Sequence, residues 1–136
     1  MREILFRAKS KNSGRWVYGD LITQKYKSRQ GIHIYEKNDS FGYQFVRINK
    51  KTLGQYTGLA DKNGTKIFEG DIVGCFCNTQ IFQVKWCDVR GGYFLDDVIM
   101  CGGSEPAPEC LGNLVDTIEV IGNIYDNKVG DFSSGS

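Results

Sequence analysis

The run Gly54 to Val73, GQYTGLADKNGTKIFEGDIV, restricts the fold of this chain more than any other segment. Tyr56–Ala60 and Thr65–Phe68 are short β-prone stretches separated by Asp61-Lys62-Asn63-Gly64. Asn and Gly there supply the positive φ that a tight hairpin turn requires. Glu69-Gly70-Asp71 interrupts the chain again before Ile72 and Val73 resume an apolar strand, and an acidic pair in such a turn is expected to be solvated. The Asp-x-Asn-Gly spacing suggests a calcium loop, but an EF-hand needs glycine at its sixth position, where this chain has Lys66. The segment is therefore read as a turn, not as a metal site.

Strand signals dominate on both sides of it. Glu3–Ala8 alternates, Lys9–Gly14 is a polar turn, and Arg15–Ile22 reads as the returning strand, with Trp16 and Tyr18 on one face and Val17 on the other. Ile32–Tyr35 and Tyr43–Ile48 form a second pair around the polar stretch Glu36–Gly42. Asn49–Leu53 has room for one helical turn, and no segment of ten or more residues shows a convincing 3.6-residue period. Downstream, Ile72–Cys77, Ile81–Cys87 and Tyr93–Met100 are successive strands, with Phe82, Val84 and Trp86 on the core face of the middle one. CGGSEPAPECL, from Cys101 to Leu111, is an irregular loop, and Val115–Tyr125 returns as a strand pair bent at Gly122. The expected fold is all-β with little helix: a basic β-rich N-terminal lobe (1–53), an acidic lobe forming a small SH3-like barrel (54–127), and a disordered tail (128–136).

A chain of 136 residues, 40% hydrophobic and 24% charged, suits one soluble domain or two small lobes. There is no apolar run of signal-peptide or membrane-spanning length, and five cysteines are an odd number, so reduced thiols in a cytoplasm are expected and no membrane partner is. Cys75-Phe76-Cys77 is strand-borne C-x-C, not the C-x2-C knuckle of zinc sites, and no metal or other cofactor is expected. The net charge of +1 conceals a strong asymmetry. Residues 1–52 carry 12 Lys/Arg against 4 Asp/Glu, whereas 53–136 carry 5 against 12. Such halves can attract one another within one chain or between copies, so self-association is one expected use. A basic face for phosphates is another, with Tyr26 and Tyr35 available to stack on bases.

REILFRA at the start, YGDL from Tyr18 to Leu21, the central run, VKWCDVRGGYFL and the closing EVIGNIYDN together resemble the YopX family of phage and prophage proteins. The resemblance spans essentially the whole chain, although Lys9 stands where the family commonly has tryptophan after FRA. It implies a small all-β protein encoded by a bacteriophage or prophage, working in the host bacterial cytoplasm, with no catalytic residue to carry over.

Catalysis finds little support in the residues themselves. The single histidine, His33, sits in a strand alternation with no nucleophile elbow nearby. The acidic pairs Asp96-Asp97, Glu69/Asp71 and Glu105/Glu109 lie on opposite strand faces or in turns. The glycine pairs Gly91-Gly92 and Gly102-Gly103 lack a P-loop or dinucleotide fingerprint. The expected role is thus non-enzymatic: an accessory protein whose loops bind and modulate a host or phage protein. The alternative is a protein that binds, or sequesters, a nucleotide or nucleic acid through Arg15, Trp16, Lys25, Tyr26, Lys27, Arg29 and Tyr35.

Overall fold

The computed structural model describes residues 3–24, 31–38, 40, 42–75, 80–97, 109–110 and 116–127. It is nearly all β, every paired strand is antiparallel, and the chain divides into two units, Met1–Tyr56 and Thr57–Ser136. The expected tail, 128–136, lies outside the described residues.

In the first unit, β1 (Phe6–Lys9), β2 (Trp16–Gln24), β3 (Gly31–Asn38) and β4 (Gly42–Arg47) form a meander. The hairpin from β1 to β2 is shaped by Ser10, whose Oγ accepts from the Asn12 and Ser13 amides while its own amide donates to Arg15 O at 2.8 Å. The meander then closes on itself. Ser10 bridges Ile48, Lys11 N–H donates to Arg47 O, and Asn49 N–H donates to Lys9 O, both at 2.9 Å. Strand alternation therefore gives an inside and an outside. Ala8, Val17, Ile34 and Ile48 are buried together, with Phe6, Leu21, Ile32, Val46 and Leu53 packed against them.

After β4 the chain makes a single 3-10 turn, Lys50–Thr52, as the short helical signal at 49–53 suggests. The turn is fixed at both ends. Asn49 Oδ1 accepts from Lys51 N–H at 3.1 Å, and the buried Thr52 donates to Asn49 O and accepts from Lys9 N–H at 2.8 Å. β5 (Gly54–Ala60) follows; its first residues pair with β1, and it continues into the second unit.

There, β5 turns into β6 (Lys66–Phe68) through the hairpin that the central run specifies. Asp61 organises it: Oδ1 accepts from Asn63 and Thr65 N–H, each at 2.9 Å, and Oδ2 accepts from Val120 N–H at 2.8 Å. β6 ends the sheet that begins with β4, and β7 (Asp71–Cys75), β8 (Gln80–Cys87), β9 (Gly92–Asp97) and β10 (Glu109–Cys110) form a second meander, with β11 (Ile118–Asn123) paired to the other side of β7. The bend expected at Gly122 is a register shift between Val120 and Gly122. Ile67, Val73, Cys75, Val84, Leu95 and Ile118 make a separate core. Phe82 and Val84 serve it as the alternation implies, whereas Trp86 on the same face remains 45% exposed. The described pairings run from β10 to β11 as an open order and contain no SH3-like closure; the closed ring of strands is in the first unit.

One turn differs from its reading. Asp71, expected to be solvated, is 1% exposed and its Oδ2 accepts from Phe68 N–H at 2.7 Å. A carboxylate that folds back onto its own turn satisfies an amide that the turn would otherwise leave unpaired.

Candidate anion-binding surface

The register of the first unit sorts its side chains cleanly. Arg7 faces Tyr18 and Lys9 faces Trp16 across β1 and β2, Asp20 faces Tyr35 across β2 and β3, and Tyr35 faces Phe45 across β3 and β4. These residues lie opposite Ala8, Val17 and Ile34, on the outside of the ring. The aromatic groups cluster. Tyr35 stacks on Tyr43 with centroids 4.9 Å apart and planes 16° from parallel, and the Phe45 ring lies 4.8 Å from Tyr35, tilted by 36°. Tyr43 is 58% exposed and Phe45 40%. Trp16 carries the Arg7 guanidinium 4.7 Å above its ring and the Lys9 ammonium at 5.5 Å.

Two residues beyond Phe45 on the same side of β4, Arg47 leads into a hollow of about 620 Å³. Its lining is Lys11, Gly31, Ile32, Arg47, Ile48, Asn49, Lys50 and Lys51. Among the described residues, the lining holds four cations, two isoleucines and no carboxylate. Local structure explains the convergence: the Ser10 turn presents Lys11, the bridge at Ile48 presents Arg47, and the anchored 3-10 turn presents Lys50 and Lys51. Gly31 has φ +119°, a conformation that side-chain-bearing residues rarely adopt, and the Arg47 Nε lies 3.7 Å from where a Cβ would be, an ordinary contact distance.

Of the residues that the sequence suggests for ligand binding, Trp16 and Tyr35 do share the outer face. Arg15 is engaged elsewhere, by two hydrogen bonds of 2.8 Å to Glu36, which holds the Glu36 carboxyl below its ordinary range and raises the guanidinium further. Lys25, Tyr26, Lys27 and Arg29 lie outside the described residues. Tyr43, Phe45, Arg47, Lys50 and Lys51 do not stand out in the sequence. The alternation Tyr43-x-Phe45-x-Arg47 is the available signal, but an exposed strand face is not marked in sequence without knowing which side the core takes.

The remaining reactive groups are dispersed. Cys75 is buried with its thiol 3.7 Å from Thr117 Oγ1, and Cys87 is half-buried; Cys77 and Cys101 lie outside the described residues, and of Cys110 only the backbone is described. Among the described residues no three His, Cys, Asp or Glu side chains gather as metal ligands. Asp96 pairs with Lys85 at 2.7 Å, with both side chains well exposed. His33 is buried, and its Nδ1 has no hydrogen-bond partner among the described residues.

A family model described as YopX protein matches residues 5–129, and the chain belongs to that family. Among solved structures, the chain is similar to the crystal structure of protein EF1440 from Enterococcus faecalis, at 22% identity, a TM-score of 0.51, and coverage of 93% of this chain and 96% of that one. That likeness concerns the fold. A search of curated proteins found no match. Among the described residues no helix is long and apolar enough to cross a membrane, a statement that does not concern β-barrels.

Proposed function

We propose that this YopX-family protein acts by binding rather than catalysis, and that its first unit holds single-stranded nucleic acid. The observation that carries this reading is the hollow lined by Lys11, Arg47, Lys50 and Lys51, with no carboxylate among its described lining residues, joined through Arg47 to the exposed aromatic row on β4. Cations provide phosphate attraction that does not depend on sequence, and exposed rings stack on any base. Asp20, opposite Tyr35 on the same face, opposes the binding locally and favours a strand whose phosphates track toward the hollow. Four of the described carboxylates are engaged structurally: Asp61 and Asp71 by backbone amides, and Glu36 and Asp96 by cations.

The test is fluorescence anisotropy of a labelled single-stranded oligonucleotide with the full chain. Replacing Tyr43 and Phe45 by serine is expected to weaken binding by about 1–3 kcal/mol per stacked base. Unchanged affinity in that variant would remove the aromatic row from the binding surface.

A second reading keeps the protein as a phage- or prophage-encoded accessory factor that binds a host or phage protein in the bacterial cytoplasm. What favours it lies in the second unit. Val89, at the end of the hairpin between β8 and β9, is 96% exposed, close in sequence to Trp86. An aromatic beside an exposed aliphatic tip is the composition of a protein contact.

A further inference from the structure

The second unit contains a hollow of about 310 Å³ that the nucleic-acid reading does not use. Glu69, Gly70, Gln83, Lys85, Trp86 and Tyr125 contribute to its walls. The walls are fixed by backbone bonds: Gly70 N–H donates to Val84 O at 2.9 Å, and Ile124 N–H donates to Gly70 O at 3.0 Å. The turn at Tyr125 is set by Asn123, whose Oδ1 accepts from the Tyr125 and Asp126 amides. Such a site is already shaped before any ligand arrives.

Its electrostatics are specific. Lys85, the cation in the lining, is engaged by Asp96 at 2.7 Å. Glu69 is half-buried, and among the described residues it has neither a hydrogen-bond donor nor a cation beside it; burial alone pushes its carboxyl above the ordinary range. Two aromatic residues, Trp86 and Tyr125, share the lining with it. The Trp86 indole is held in place by its N–H bond to Asp88 Oδ1 at 2.7 Å, and the Tyr125 ring lies over Gly70, 3.1 Å from where a Cβ would stand. A hollow lined by a partly desolvated carboxylate and by aromatic residues has the composition that recognises an organic cation. The unit that contains it carries 5 Lys/Arg against 12 Asp/Glu, so the long-range field also favours a positive ligand.

We propose that this hollow receives the cationic end of a lysine or arginine side chain presented by a protein partner. The occupant's charge would satisfy Glu69, and its alkyl stem would lie against Trp86 and Tyr125. The site lies entirely within the second unit, so its failure would leave the nucleic-acid reading untouched, and the reverse holds too.

The experiment is an NMR titration of the isotope-labelled full chain with N-acetyl-lysine methylamide and N-acetyl-arginine methylamide, using the neutral N-acetyl-norleucine methylamide as control. The Trp86 indole and Gly70 amide signals report on the hollow. Saturable shifts at both signals with either cationic probe, absent with norleucine and weakened about tenfold in Glu69→Gln, are expected. Trp86→Leu, at a partly exposed position, should weaken the same probes while leaving the spectrum elsewhere unchanged. Equal shifts with norleucine would make this an apolar crevice and overturn the proposal. So would the absence of saturable shifts, or affinity that is the same in Glu69→Gln.

Discussion

Asp61 is buried because one carboxylate closes its own hairpin with two bonds and binds β11 with a third. Hydrogen bonds to a charged acceptor are each stronger than neutral ones, and they share one group, so their loss is not additive. Asp61→Ala should cost about 3 kcal/mol in chemical denaturation; a loss below about 1 kcal/mol would mean that the amides find other partners. Two glutamates should bend the pH dependence in opposite directions. Glu36 is held low by Arg15, so its contribution is present above the unfolded carboxyl value and is lost as pH falls through the folded value. Because Arg15 is exposed, the pair is worth only about 0.5–1 kcal/mol, and Arg15→Gln should erase that acid-side loss. Glu69 is raised by burial, so its contribution is present below the unfolded value and fades as pH rises through the folded one. Glu69→Gln should therefore gain stability at neutral relative to mildly acidic pH, and a flat difference across that range would deny the burial effect. At this scale the sequence is only partly informative. Asp-x-Asn-Gly announces a turn, but nothing in it distinguishes a carboxylate that faces water from one that, like Asp71, turns back onto an amide.

The elements are more legible. Alternation identifies most strands of both units and the inward face of Val84, but it leaves open which face of β2 is buried and does not mark the two-residue strand Glu109–Cys110. The closure of the first unit is not legible, because a bridge from Ser10 to Ile48 depends on strand curvature and leaves no periodic trace. Glycine marks where curvature brings backbones together. A Cβ at Gly19 would overlap the backbone oxygen of Tyr35, which cannot yield without moving β3, and would crowd the Ile34 side chain at 3.1 Å. Gly19→Ala is expected to cost about 3 kcal/mol by overpacking. Its effect should appear as faster amide hydrogen exchange in β1–β4, with β7–β9 unchanged, and uniform acceleration in both units would contradict separate cores.

Across the whole molecule, the dominant property is opposed charge: 12 Lys/Arg against 4 Asp/Glu in 1–56, and 5 against 12 in 57–136. This asymmetry can be counted directly in the sequence, whereas the gathering of Lys11, Arg47, Lys50 and Lys51 around one hollow depends on folding. Opposed halves are expected to associate head to tail at low ionic strength and to dissociate as salt is added. Sedimentation velocity would show this as a falling mass, and a strictly monomeric protein at low salt would oppose it. The central claim is the nucleic-acid surface of the first unit, and the salt dependence of oligonucleotide affinity tests it most directly. Four phosphate contacts predict a slope of log affinity against log salt near about −3 for a single strand, reduced by about 1.4 when Lys50 and Lys51 are both changed to glutamine. Affinity that is absent at low salt, or a slope that those two substitutions do not change, would contradict this assignment.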